Sequence, residues 1–244
     1  MMVELQGVTR RYGRVRALDK VSLRLEPGQR VAVLGLNGAG KTTLLRCLAG
    51  VVAPDRGEVL FDGRALRRDD LPLRRRLFFL PDFPLLFWDR SVAANLSIIL
   101  RLYGKDGGDA PRRALDLLRE LDLLPLANTA AGALSRGQMH KTALAALLLA
   151  DPELWLLDEP LASGMDPLAL GLFKRAATEA TARGRTVIYT TQLLEAAERF
   201  ADRIVVLHDG RMRAFATLDE LRATAADPGN PLEELFRKLR GESA

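Results

Sequence analysis

Short runs of apolar residues recur along the chain, separated by polar connections that contain glycine and proline. In residues 21–25, apolar and polar positions alternate before the turn Glu26-Pro27-Gly28, which is typical of a strand with one buried face. Further short strands are predicted at residues 31–34, 58–61, 77–80, 154–157, 186–190 and 203–207. Several of these runs alternate with helical segments, and this order favours an α/β fold with a mixed or parallel sheet.

A long helical pattern fills the middle of the chain. Leu115, Leu118 and Leu121 recur at helical spacing, and Ser135 is placed as an N-cap. A second amphipathic helix is predicted at residues 231–240. The predicted organisation is a discontinuous α/β core over residues 1–82 and 152–216, an all-helical subdomain over residues 83–151, and a helical tail over residues 217–244.

Nine residues that follow the apolar run at residues 31–34 have the pattern of a phosphate-binding loop. They are Gly35, Leu36, Asn37, Gly38, Ala39, Gly40, Lys41, Thr42 and Thr43. In the pattern G-x-x-x-x-G-K-[ST], backbone N–H groups and the start of a helix surround the phosphates of a nucleotide. Lys41 is expected to contact the β- and γ-phosphates, and the Thr42 hydroxyl to contact Mg²⁺. The sequence therefore predicts binding of ATP or GTP in a P-loop NTPase core.

Two carboxylates, Asp158 and Glu159, directly follow the apolar run at residues 154–157. In a nucleotide-binding α/β core this strand end lies beside the phosphate-binding loop. Asp158 is then expected to hold Mg²⁺ through water, and Glu159 to polarise the attacking water. An acidic pair that only caps a helix is the alternative interpretation.

Composition limits the function without defining it. The chain has 244 residues, of which 48% are hydrophobic, so it can bury a core without disulfides, and its single cysteine, Cys47, is expected inside that core. The longest apolar run, residues 143–150, is far shorter than the ~20 residues that span a bilayer, and no secretion signal is predicted. The net charge is +5 and the pI is about 9.7. Much of the positive excess lies in Arg64, Arg67, Arg68, Arg74, Arg75 and Arg76. Such a cluster is a solvated face, or else it contacts an anionic membrane surface or nucleic acid.

The segment Leu134-Ser135-Arg136-Gly137-Gln138 precedes a long apolar helix. With the phosphate-binding loop and the carboxylate pair, this segment makes nearly the whole chain resemble the ATP-binding subunit of ABC transporters. The segment is similar to the family signature, usually Leu-Ser-Gly-Gly-Gln, with Arg136 in place of the first glycine. The resemblance implies that Ser135, Gly137 and Gln138 bind the ATP held by a second subunit. A serine hydroxyl at a helix N-terminus suits such an anion site.

The resemblance implies roles for two further segments. Tyr12 matches the aromatic residue that stacks on adenine, although a tyrosine before a strand also serves packing. The segment Ser163-Gly164-Met165-Asp166 is similar to the loop through which paired subunits communicate. Asp166 also suits the N-cap of the helix that Pro167 begins.

Two positions that the family fills with γ-phosphate or water contacts are altered. Asp82 stands where the family usually has glutamine, and Gln192 stands where it usually has histidine. Gln192 is expected near the γ-phosphate and Asp82 near metal or water, and the loss of one well-aimed donor lowers the rate about 10²- to 10³-fold. His140 and His208 are expected to be surface residues that do not replace the missing histidine. Because Lys41 and the carboxylate pair are intact, we predict ATP hydrolysis with slow turnover.

The resemblance implies a peripheral ATPase on the cytoplasmic face of the membrane that powers a separate integral membrane permease. Large apolar residues crowd residues 82–97, and this patch is expected to dock the permease or else to cover the core. The second ATP-binding subunit is either identical or different. One alternative is an ATP-gated regulatory subunit with little or no hydrolysis. A soluble ATPase acting on nucleic acid is the other, but no nucleic-acid partner is expected, because such relatives usually carry two ATP units or long coiled coils.

Overall fold

The computed structural model of the chain describes residues 1–67, 69–162, 164–225, 227 and 229–240. These residues contain ten strands. They are β1 (Val3–Tyr12), β2 (Val15–Leu25), β3 (Arg30–Leu34), β4 (Arg56–Phe61), β5 (Arg64–Ala65), β6 (Leu77–Leu80), β7 (Leu154–Leu157), β8 (Thr186–Thr191), β9 (Arg203–His208) and β10 (Arg211–Ala216). Every strand predicted from an apolar run is present. The predictions for Arg68, Ser163 and residues 241–244 lie outside the described part of the chain.

The strands form two sheets. Four antiparallel strands have the order β2-β1-β4-β5, and six strands have the order β10-β9-β3-β8-β7-β6. In the larger sheet the five strands from β9 to β6 are parallel, and β10 adds an antiparallel edge. A mixed sheet with helices between its parallel strands is the α/β class that the alternation predicted.

Nine α-helices lie within the described residues. They are α1 (Lys41–Leu48), α2 (Leu71–Arg74), α3 (Val92–Tyr103), α4 (Ala110–Glu120), α5 (Arg136–Ala150), α6 (Pro167–Ala182), α7 (Leu194–Phe200), α8 (Leu218–Thr224) and α9 (Pro231–Arg240). Both predicted N-caps are observed: Ser135 Oγ accepts a hydrogen bond from the N–H of Gln138 at 3.3 Å, and Asp166 Oδ1 accepts one from the N–H of Ala169 at 2.9 Å. The helices α3, α4 and α5 follow β6 and precede β7, yet β6 and β7 pair with each other. A helical segment thus interrupts the sheet in sequence but not in space.

The larger sheet is buried on both faces because successive side chains enter different cores. Val31 and Val33 of β3 belong to a core shared with the smaller sheet and α1. Ala32 and Leu34 belong to the core that contains residues of α3, α5 and α6. Double burial explains why the central strands are continuous apolar runs rather than alternating ones. Cys47 lies in the first of these cores, as expected, and burial raises the pKa of its thiol to about 11.

Strands β1 and β10 were not predicted from the sequence pattern. Strand β1 has register shifts against both of its neighbours and contains Gly7 with a φ of 59°, so its apolar alternation is broken. Strand β10 is an edge strand that carries arginines and has a register shift against β9. Among the described residues, none of the helices has the length and apolarity needed to cross a membrane.

Candidate nucleotide-binding site

A cavity of about 430 Å³ opens where β3, β7 and β8 end. Its walls are formed by Val15, Ala17, Leu36, Asn37, Gly38, Ala39, Gly40, Lys41, Thr42, Thr43, Asp82, Asp158, Glu159 and Gln192. Ligands of open α/β sheets bind at this position, outside the carboxyl ends of the strands. The structure therefore brings the phosphate-binding loop, the carboxylate pair, Asp82 and Gln192 to one place.

Two glycines keep the loop against neighbouring backbone. A Cβ atom on Gly40, which has a φ of 105°, would lie 2.3 Å from the carbonyl oxygen of Ala17. A Cβ atom on Gly35 would lie 2.6 Å from the carbonyl oxygen of Leu207. Neither position admits a side chain without movement of the main chain. Helix α1 begins directly after Gly40 without a side-chain cap, so its first N–H groups are available to an anionic ligand.

Three polar groups converge inside the cavity. Lys41 is buried, and its Nζ donates to the carbonyl oxygen of Gly35 at 2.8 Å and lies 3.5 Å from Oε1 of Glu159. The amide Nε2 of Gln192 lies 3.5 Å from the same carboxylate oxygen. A cation, an amide donor and a carboxylate thus meet beside the phosphate-binding loop.

Thr190, a residue that the sequence pattern did not single out, holds the Asp158 carboxylate and the main chain of Glu159. Thr190 Oγ1 donates to Oδ1 of Asp158 at 2.7 Å and accepts a hydrogen bond from the N–H of Glu159 at 2.8 Å. The role of Thr190 becomes visible only when β7 and β8 are known to be neighbours in the sheet. Glu159 has a φ of 50°, in the left-handed region that few side-chain-bearing residues adopt. Such strain persists where the surroundings fix it, often at ligand sites.

Asp82 reaches the cavity, but its carboxylate is already paired. Its Oδ1 accepts a hydrogen bond from Nη2 of Arg136 at 2.7 Å. We expected this side chain to face metal or water. The pairing with Arg136 was not predicted, because the two residues are far apart in sequence.

The three signature residues do not line the cavity of their own chain. Ser135 and Gln138 form a capping box at the start of α5, in which Gln138 Oε1 accepts a hydrogen bond from the N–H of Ser135 at 2.9 Å. Gly137 packs so closely on the loop after Glu159 that a Cβ atom would lie 2.7 Å from the carbonyl oxygen of Gly164.

Tyr12 does not line the cavity either. Its ring is 42% exposed and lies 5.0 Å from the guanidinium carbon of Arg10, measured to the ring centroid. Val15 and Ala17, at the start of the neighbouring strand β2, line the cavity instead. Contact between Tyr12 and adenine stays a prediction.

The sequence model of the ABC transporter family matches residues 18–162, a range that contains the phosphate-binding loop and the carboxylate pair. The chain belongs to the ABC transporter family. Over 243 residues it is 31% identical to the ABC-type transporter ATP-binding protein EcsA of Bacillus subtilis (strain 168), and the match covers 100% of this chain and 98% of that protein.

Solved structures of ABC proteins have the same fold. The structure of an ATP-binding subunit of an ABC transporter matches with a TM-score of 0.91 and 31% identity, over 98% of this chain and 100% of that one. The dimeric structure of a post-hydrolysis state of the ATP-binding cassette MJ0796, bound to ADP and Pi, matches with a TM-score of 0.76 and 28% identity, over 88% of this chain and 98% of that one. The family and fold predicted from the sequence are confirmed. The chain is an ATP-binding subunit of an ABC transporter and an ATPase coupled to transport.

One expectation for this ABC transporter subunit was wrong. His140 was expected at the surface, but it is 1% exposed because α5 is packed on nearly all sides. Burial lowers the pKa of His140, and the nearby Arg136 guanidinium lowers it further. His208 is half-buried at the end of β9. Neither histidine lines the nucleotide cavity.

The donor set in the cavity of the ABC subunit fits Mg²⁺. Thr42 and Asp158 both line it and offer a hydroxyl and a carboxylate, and Mg²⁺ is usually held by one or two carboxylates together with substrate phosphates. Across the described residues, no cluster of three or more His, Cys, Asp or Glu side chains is arranged to hold a metal. This donor set suits a metal that binds together with a nucleotide.

A cluster of exposed apolar side chains lies between β6 and α3 of the ABC subunit. We call Phe83, Leu85, Phe87 and Trp88 the apolar patch; they are 48%, 81%, 48% and 54% exposed, respectively. The rings of Phe83 and Trp88 stack with their centroids 5.9 Å apart. Leu86, by contrast, packs against the core. Several large exposed apolar side chains in one loop are typical of protein contact sites.

Proposed function

We propose that this cavity binds ATP together with Mg²⁺ and that Glu159 polarises the attacking water. The observation that carries the proposal is the convergence of Lys41 and Gln192 on Glu159 beside the phosphate-binding loop. On ATP binding, Lys41 exchanges its contact with the loop carbonyl for the β- and γ-phosphates. The first N–H groups of α1 complete the anion site.

We infer separate roles for the remaining site residues. Thr42 and Asp158 would hold Mg²⁺, which neutralises phosphate charge when it is bound. Tyr12 would stack on adenine from the side of the cavity where Val15 lies. The nucleotide of this chain would be bound by Gly35, Leu36, Asn37, Gly38, Ala39, Gly40, Lys41, Thr42 and Thr43. The residues that this chain would contribute to its own nucleotide then lie in the α/β core, residues 1–82 and 152–216, and outside the helical subdomain at 83–151 and the tail at 217–244.

Slow turnover follows from Gln192. An amide at this position donates a hydrogen bond but carries no charge, and its longer stem holds water and phosphate less firmly than an imidazole does. The loss of one well-aimed donor lowers a rate about 10²- to 10³-fold, and Gln192 recovers part of that loss. Its contact with Glu159 supports a place next to the attacking water.

A second ATP-binding subunit would complete the site. Ser135, Gly137 and Gln138 lie at a helix N-terminus that points to no phosphate of this chain, so a second nucleotide held by a partner is their natural ligand. The dimeric structure of the related cassette with ADP and Pi supports this arrangement. The partner is either a second copy of this chain or a different subunit.

The apolar patch is the proposed docking site for an integral membrane permease. Four large apolar side chains in this loop are 48–81% exposed, whereas Leu86 of the same loop packs against the core. The chain would then act as a peripheral protein on the cytoplasmic face of the membrane.

The arginine cluster does not support a nucleic-acid partner. Arg76 is bound by Asp62 at 2.6 Å and by Glu153 at 2.8 Å, and Arg67 lies 3.4 Å from Asp69. Arginines that are paired within the chain have less charge to offer to phosphates.

A regulatory subunit with little hydrolysis is the second candidate function, favoured by Asp82 and Gln192 at positions that usually carry other residues. Steady-state ATP hydrolysis by the chain assembled with its permease separates the two functions. For an active ATPase, Glu159→Gln lowers turnover by at least about 10²-fold while ATP binding persists. Equal rates for the parent and Glu159→Gln would establish the regulatory function instead.

A further inference from the structure

Two residues at which this chain departs from the usual family pattern contact each other. Asp82 replaces a glutamine that usually faces the γ-phosphate, and Arg136 replaces the first glycine of the signature. Nη2 of Arg136 donates to Oδ1 of Asp82 at 2.7 Å, although the two residues are 54 positions apart in sequence. The two substituted residues thus form an ion pair with each other.

The negative charge of the cavity explains why this pairing matters for a phosphate ligand. Asp82 lines it together with Asp158 and Glu159, whereas Lys41 is the one cation among the described residues of the lining. A triphosphate that enters such a site meets three carboxylates, and an unpaired carboxylate close to phosphate repels it strongly. Arg136, which lies outside the lining, neutralises the Asp82 carboxylate.

A second residue of helix α5 lies near Asp82. His140 lies one turn after Arg136 on α5 and is buried. Burial and then Arg136 lower the pKa of the His140 ring, whereas the neighbouring Asp82 raises it. The hydrogen bond from Arg136 gives the Asp82 side chain a defined position at the cavity wall.

We propose that Arg136 is a positioning residue for ATP binding, which neutralises Asp82 and holds it at the cavity wall. ATP affinity then depends on the pair, because the arginine is needed only while residue 82 carries a charge. The proposal rests on the proposed function, since it requires ATP in this cavity.

A double-mutant cycle on the full chain tests the pair. The dissociation constant of MgATP is measured by titration calorimetry for the parent, Arg136→Gln, Asp82→Asn and the double variant. Arg136→Gln should weaken binding about 3- to 30-fold, because the exposed Asp82 charge then acts on the phosphates through partly screened solvent. In the Asp82→Asn background the same change should have less than about a 2-fold effect. Arg136→Lys, which keeps the charge, should restore most of the affinity.

Two control variants separate the effect of the Asp82–Arg136 pair from other causes of weaker MgATP binding. Arg101→Gln removes an exposed positive charge from α3 and should leave the affinity unchanged, which separates pairing from a general loss of charge. Lys41→Ala should abolish binding, so a parent that binds no MgATP overturns the proposed function rather than this pair. An equal loss of affinity for Arg136→Gln in both backgrounds would show that Arg136 contacts nucleotide directly and would overturn the proposal. A lower melting temperature without any change in affinity would reduce the pair to a surface ion pair.

Discussion

At the residue scale, Thr190 supports the different roles that we propose for two adjacent carboxylates. Its hydroxyl donates to Asp158 and accepts from the main chain of Glu159, so the Asp158 side chain is anchored while the Glu159 side chain points to Lys41 and Gln192. An anchored carboxylate suits a metal ligand, and a carboxylate that faces a cation and an amide donor suits water activation. The left-handed conformation of Glu159 is part of this arrangement.

Lys41 provides the most direct test of the nucleotide site. MgATP at about 100 times its dissociation constant stabilises a protein by about 2.7 kcal/mol, which raises the melting temperature of a domain of this size by roughly 5–10 °C. We expect this rise for the parent, none for Lys41→Ala, and the full rise for Lys174→Ala, which alters an exposed lysine on α6. Thermal scans with and without MgATP measure it. An unchanged melting temperature of the parent in millimolar MgATP would contradict the proposed site.

Gln192→His is expected to raise ATP turnover. An imidazole is a stiffer donor than an amide on a longer stem, so it holds water and phosphate in one geometry at lower entropic cost. The expected gain lies between a few-fold and ~10²-fold, measured as steady-state hydrolysis by the chain assembled with its permease. In a Glu159→Gln background the same change should have no effect. A rate that stays the same or falls while ATP binding persists would mean that the site is built around glutamine.

At the element scale, the sequence predicted what depends on local patterns and missed what depends on neighbours. The P-loop, the carboxylate pair and the caps Ser135 and Asp166 are local, and they lie where expected. Thr190 and the Asp82–Arg136 contact depend on which strands and helices are adjacent, and no local pattern contains that information. His140 was misjudged because α5 is buried nearly all round, so its sequence has no polar face that would mark an exposed position.

The loop that carries the apolar patch is held by one side chain of α3. Asn95 is 1% exposed; its Oδ1 accepts from the N–H of Phe87 at 2.7 Å, and its Nδ2 donates to carbonyl oxygens of Phe87, Arg90 and Ser91 at 3.0–3.2 Å. Asn95→Ala leaves these buried groups without a partner and should lower the free energy of unfolding by roughly 2–4 kcal/mol. Urea denaturation measures the change. Ser97→Ala, on an exposed position of the same helix, should change it by less than about 0.5 kcal/mol. Equal effects of the two variants would show that Asn95 does not organise the loop.

At the scale of the whole molecule, α5 connects the nucleotide cavity to the signature face, by which we mean Ser135, Gly137 and Gln138 at the start of this helix. Arg136 contacts Asp82 on one side, and Lys141 pairs with Asp166 on the other. The Lys141 ammonium beside Asp166 holds the pKa of that carboxyl below its usual range. The loop before Asp166 also packs on Gly137. A nucleotide that moved the cavity wall would therefore act on the helix whose start we propose to face a second subunit.

Glu159→Gln is expected to trap this chain as an ATP-bound dimer. The amide cannot polarise water as the carboxylate does, so ATP persists, and the change also removes a negative charge that faces the γ-phosphate. The phosphate-binding loop of one copy and the signature residues Ser135 and Gly137 of the other remain intact and continue to hold each nucleotide between them. Size-exclusion chromatography in millimolar MgATP should then show a dimer for Glu159→Gln, and a monomer once Lys41→Ala is added. Glu179→Gln, on an exposed position of α6, should behave as the parent does. A Glu159→Gln variant that binds ATP yet stays monomeric at every concentration would show that this chain does not pair with itself, and that its signature face is completed by a different subunit.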